Sequence, residues 1–153
     1  AQLLAQNTAP GCSMIVNRAL LHVALPIPDQ ASMHDWWLML IARALGQVGH
    51  IRQPGLAYRQ HGSNQVGAKS NGFRALLTRL REGRAAYRGR LVQTQRQALA
   101  LYDRVPADTP QRELLRLYGT LAQRRFGARQ LAAWRAGITK VGRIRNLAFY
   151  LLM

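Results

Sequence analysis

The sequence predicts an α/β chain in two parts: a mixed segment over residues 1–70 and a basic, mainly helical tail over 71–153. Three observations lead there. Short β-branched or extended runs flank one clear amphipathic helix in the first part. After a Gly-, Ser- and Asn-rich stretch at 62–72, the composition turns to Arg, Leu, Ala and Gln at helical spacing. The charge is also divided: residues 1–60 carry a net charge of +2 and residues 61–153 a net charge of +14.

In chain order, residues 1–10 are small and polar and end at Pro10-Gly11, a loop signal. Ser13-Met14-Ile15-Val16 reads as a strand or the start of a helix, and Arg18 to Val23 as one or two helical turns. Leu25-Pro26-Ile27-Pro28 is extended, because each Pro fixes its own φ and restricts its predecessor. Ser32 is a candidate N-cap for the next helix, with Asp35 in its first turn. Trp37, Leu40, Ile41, Ala44 and Leu45 fall at i, i+3, i+4, i+7 and i+8, a single buried stripe, and Gly46 ends it. Val48 to Ile51 and Leu56 to Arg59, separated by Gln53-Pro54-Gly55, read as short strands.

In the tail a long helix is expected from Phe73 to about Tyr102, with Gly83 or Gly89 as possible interruptions. Thr109 as N-cap and Pro110 at the first helical position predict a helix to about Arg125. Two more follow, from about Ala128 to Ala136 and from Lys140 to the end.

Composition sets outer bounds. The 153 residues are 48% apolar, enough for one packed core and too apolar for a disordered chain. A formal net charge of +16, from 20 Arg, two Lys and six acids, suits an anionic partner, either nucleic acid or a membrane surface. Arg-rich compositional bias is the plain alternative. Cys12 is the only cysteine, which excludes an intrachain disulfide and points to a reducing compartment. The chain opens on Ala1, and Gln2-Leu3-Leu4 reads as the interior of something longer, so a preceding N-terminal part is expected. No apolar run approaches the roughly 20 residues that span a bilayer. Leu147 to Met153 suffices only to dip into a membrane surface.

The chemistry-bearing residues gather in two clusters, Met33-His34-Asp35-Trp36-Trp37 and Tyr58-Arg59-Gln60-His61-Gly62-Ser63-Asn64. A carboxylate in the first turn of a helix has its negative charge favoured, as a general base requires. Acids that only complement a helix dipole are commoner than catalytic ones, and that reading of Asp35 stays open. Trp37 belongs to the buried stripe, whereas Trp36 is a candidate cleft wall. His61, in a Gly/Asn loop, can bind a metal or donate to a phosphate, or can simply be solvated. The fork of Arg59, with Gln60 beside it, suits a diphosphate. His22 and His50, alone among apolar residues, read as structural. There is no P-loop, GxGxxG or GxSxG pattern.

Taken together, three stretches resemble family 2 glycosyltransferases of the rhamnosyltransferase-like type that build bacterial surface polysaccharides. They are Gly11-Cys12-Ser13-Met14-Ile15-Val16-Asn17-Arg18-Ala19-Leu20-Leu21, Leu25-Pro26-Ile27-Pro28 followed by His34-Asp35-Trp36-Trp37-Leu38, and Tyr58-Arg59-Gln60-His61-Gly62-Ser63-Asn64-Gln65-Val66-Gly67-Ala68. The resemblance covers residues 1–70 and continues weakly through the tail. It implies the C-terminal part of a Rossmann-like GT-A domain, a nucleotide-sugar donor, a saccharide or lipid-linked acceptor, and Mg²⁺ or Mn²⁺. It also implies Asp35 as the general base and His61 near the metal and diphosphate. Gly11, Cys12, His34 and Trp36 would line the donor and acceptor side, with Arg59 and Gln60 binding substrate. The family's DxD motif is absent, so the main metal-binding carboxylates and nucleotide pocket are expected in an N-terminal half, without which this chain would be inactive.

The resemblance also suggests a cytoplasmic enzyme, peripheral on the inner face of the cytoplasmic membrane. The alternative class is a non-catalytic basic module on nucleic acid or anionic lipid. Nucleic acid is disfavoured, since the tail shows no recognisable binding pattern and no aromatics interleaved with its Arg.

Overall fold

The computed structural model describes residues 1–57 and 83–153. Its helices are α1 (Gln2–Ala5), α2 (Arg18–Ala24), α3 (His34–Leu45), α4 (Gly83–Arg104), α5 (Arg112–Gly119), α6 (Ala128–Arg135) and α7 (Arg143–Leu152). Short 3-10 turns stand at Gly11–Ser13 and Leu121–Gln123.

The α/β expectation is overturned. Among the described residues there is no strand, and this part of the chain is helical with extended connections. The runs read as strands lack what a strand needs, a neighbour to take its backbone hydrogen bonds and a core under one face. Ile15 is 92% exposed and Ile51 73%. Val48 and Leu56 are exposed as well. Tyr58 and Arg59 lie outside the described residues.

The helices form around α4. Its inward residues Tyr87, Leu91, Thr94, Ala98 and Leu101, with Val105 just past its end, recur at alternating spacings of four and three, a continuous buried seam. Gln95 and Gln97 are buried too, because α1, α3, α5 and α7 all pack on this helix. The broadest contact is α4 with α5, and α2 packs on α3. At the α4–α5 contact Gly119 lies so close to α4 that a Cβ there would sit 2.5 Å from Leu99 Cγ. Gly89 does not interrupt α4.

The α3 stripe is present, with Trp37, Leu40 and Ile41 buried, although Leu45 at its end is 39% exposed. Met33 rather than Ser32 is the N-cap. Ser32 uses its backbone N–H to reach Gln97 Oε1 at 2.7 Å, tying the start of α3 to α4. The expected Thr109 cap is likewise displaced: Gln111 precedes α5, and the Thr109 carbonyl accepts from Arg112 N at 2.9 Å. The polar opening segment folds as α1, with Leu4 and Ala5 in the core.

Arg104, in the last turn of α4, fastens the α2–α3 connection. Its Nη1 donates to the carbonyls of Ala24 and Pro26, both at 3.0 Å, and its guanidinium lies 5.5 Å from the Trp37 ring centre. Trp37 Nε1 donates to the same Ala24 carbonyl at 2.9 Å. The start of α3 is thus set on a framework pinned to the central helix.

Candidate functional site

Among the described residues Asp35 is the one buried acid, 3% exposed, at the N-terminal end of α3. Helix starts leave backbone N–H groups without intrahelical partners. Here Asp35 supplies one acceptor itself: Oδ1 takes the N–H of Trp36 at 2.7 Å. The same oxygen accepts from Asn7 Nδ2 at 3.0 Å. Oδ2 accepts from the backbone N–H of Gly11 at 2.9 Å. An ionised carboxylate has about four acceptor positions, so these three bonds leave one, on Oδ2.

Gly11 approaches the start of α3 closely. A Cβ there would lie 2.9 Å from His34 Nε2 and 3.3 Å from Asp35 Cβ. The Gly11–Ser13 turn therefore closes directly over the start of α3, held by Ser13 N to Pro10 O at 2.9 Å. Cys12 in that turn is exposed, as is His34. Gly11, Cys12, His34, Asp35 and Trp36 are thus brought together from two stretches more than twenty residues apart.

Trp36 is more buried than a cleft wall, at 8% exposure, and its Nε1 donates to Leu3 O at 2.6 Å. It nevertheless lines an open cavity of about 220 Å³. Asn7, Tyr87, Thr94, Arg90 and Lys140 share that lining, and among the described residues no acid does. Lys140 Nζ sits 5.4 Å from the Tyr87 ring centre and 5.7 Å from that of Phe149. Asn7 and Trp36 both bind the Asp35 carboxylate and both face the cavity, which makes them the link between the two.

Arg59, Gln60 and His61 lie outside the described residues. Among the described residues no group of three His, Cys, Asp or Glu side chains gathers to hold a metal. His22 and His50 are exposed and take no part in the core. Asn7, Tyr87, Arg90 and Lys140 were not singled out from the sequence. Asn7 sits in a short polar segment with no periodic signal, and the other three meet only when α4 and the α6–α7 connection pack beside α1.

No family model, curated protein or solved structure matches this chain.

Proposed function

We propose that this chain forms the acceptor side of an inverting glycosyltransferase of bacterial surface polysaccharide synthesis, with Asp35 as the general base. One observation carries the reading: two of the three family-like stretches, around Gly11 and around His34-Asp35, meet on a single buried carboxylate with one acceptor position left. Oδ2 takes the proton of an acceptor hydroxyl. The hydroxyl oxygen bonds to the anomeric carbon of a nucleotide-sugar, and the bond to the nucleoside diphosphate breaks on the opposite face, which inverts the centre. The donor N–H groups of Asn7, Gly11 and Trp36 hold the carboxylate still, so that little reorganisation accompanies proton transfer.

Arg59, Gln60 and His61 belong to the same reading as the diphosphate-side contacts. The reaction runs in the cytoplasm at the inner face of the membrane, where a lipid-linked acceptor is presented. Among the described residues no helix is long and apolar enough to cross a bilayer.

The test is sugar transfer by the protein as encoded, followed as nucleoside diphosphate release. Asp35→Asn should lower the transfer rate by about 10²–10⁴, the range for removing a general base, while circular dichroism shows the helices retained. Turnover at the parent rate in a folded Asp35→Asn protein would leave the carboxylate a structural group only.

A further inference from the structure

We propose that the outward faces of α6 and α7, together with the turn before α6, form a docking surface for an anionic lipid bilayer. The apolar end of the chain does not act as one inserting tail. Its residues divide between two sides of α7: Phe149 and Met153 are buried in the core, with the small Ala148 buried at the margin, whereas Ile144, Leu147 and Leu151 lie on the side away from Phe149 and Met153. These three fall at i, i+3 and i+7, a single outward stripe, with Leu147 61% and Leu151 59% exposed. On α6, Ala133 faces the core while Leu131 and Trp134 point outward, and Trp134 is 68% exposed. Phe126, just before α6, is 65% exposed. Gln130 Nε2 on α6 donates to the Tyr150 carbonyl of α7 at 3.3 Å, which holds the two helices as neighbours.

Charge selects the occupant. From Leu114 to Met153 the chain has eight basic residues and no acid. The nearest acid, Glu113, is already paired with Arg116 at 2.8 Å. Arg124, Arg125, Arg135 and Arg143 are exposed around the apolar stripes. A second copy of this chain would set one strongly basic face against another, which like-charge repulsion opposes. A nucleic acid would satisfy the Arg but gives Leu131, Leu147 and Leu151 nothing to bury against. An anionic interface satisfies both: apolar side chains enter the acyl boundary, an indole sits at headgroup level, and guanidinium groups meet the phosphates.

The experiment is cosedimentation of the whole chain with phosphatidylcholine vesicles, with and without phosphatidylglycerol, alongside tryptophan emission. No sugar donor is present, so the outcome is separate from that of the Asp35 test. Binding should need phosphatidylglycerol, weaken with salt and shift emission to the blue. Trp134→Tyr should remove most of that shift, since Trp36 and Trp37 are already buried. Replacing Trp134, Leu147 and Leu151 with Ser should cut partitioning by about tenfold or more. Arg124→Gln, Arg125→Gln, Arg135→Gln and Arg143→Gln combined should cut it by about a hundredfold or more, at about fivefold per charge. Both sets are on the surface, and unchanged circular dichroism verifies the fold. Equal binding to neutral vesicles, no binding, binding without an emission shift, or a duplex oligonucleotide bound more tightly and indifferently to the Ser substitutions would each overturn the proposal.

Discussion

Removing the Asp35 carboxylate should cost stability in proportion to the donors left behind. In Asp35→Ala, Asn7 Nδ2, Gly11 N and Trp36 N all lose their acceptor. Hydrogen bonds to a charged group contribute about 1.5–3 kcal/mol each. The Asn7 and Gly11 donors are only part-buried and water can replace some of that loss, whereas the Trp36 N–H is buried. The sum is about 4 kcal/mol, with a few tenths more from the lost charge at the helix N-terminus. For a domain of this size that corresponds to a fall in Tm of ~8–16 °C. Asp35→Asn keeps one oxygen, which can go on accepting from Asn7 and Trp36, while its amide NH₂ then faces the Gly11 N–H, donor against donor. About 2 kcal/mol is lost. Urea unfolding followed by circular dichroism measures both, with the slope unchanged if the denatured state is unaffected. An Asp35→Ala cost below about 1 kcal/mol, or an Asn variant less stable than the Ala variant, would refute the three-donor account. The ordering also frames the activity test, because Asp35→Asn is the variant that removes the proposed base while sparing most of the fold.

Two further outcomes test the packing around α4. Gly119→Ala gains about 1 kcal/mol of helix propensity, yet its Cβ would meet Leu99 Cγ and Cδ2 at 2.5 Å and Gln95 O at 3.3 Å. Because Cγ lies near the root of that side chain, Leu99 cannot relieve the clash by turning its tip. Overpacking of about 1–3 kcal/mol should prevail, and a variant more stable than the parent in thermal unfolding would contradict the close approach. Tyr118, fully buried, has its phenol pushed far above the ordinary range by burial, with the 2.7 Å hydrogen bond to Thr94 pulling the other way. The unfolded chain releases this proton near pH 10 while the folded chain keeps it. Stability present at lower pH is therefore lost as pH rises above about 10, by up to about 1.4 kcal/mol per pH unit. Tyr118→Phe should cost about 1 kcal/mol at neutral pH and flatten the alkaline fall, and an unchanged alkaline profile would refute the assignment.

The helices of this protein were legible wherever burial follows a period of 3.6. Trp37, Leu40 and Ile41 on α3 and the spacing of apolar residues along the tail announce themselves without any knowledge of their partners, because an amphipathic helix makes its own backbone hydrogen bonds. Strands do not. Val48 to Ile51 carries strand-like residues, but a strand exists only where another lies beside it, and none of the described residues supplies one. Capping failed in the same way: Ser32 had the right side chain, yet its backbone N–H is drawn to Gln97 on α4, and the helix starts one residue later with Met33 as its cap.

The amino-acid sequence by itself determined the amphipathic helices, the basic tail and the presence of an acid in the first turn of α3. What only the tertiary structure decided is what surrounds that acid. Asn7 and Gly11 reach Asp35 from 28 and 24 residues away. It also decided which side of α7 faces out, since a helix at the end of a chain has no inside until α4 gives it one. Local periodicity is written in neighbouring residues. Convergence on one carboxylate, or the exposure of one helical stripe, depends on contacts between residues far apart, and those are settled by packing.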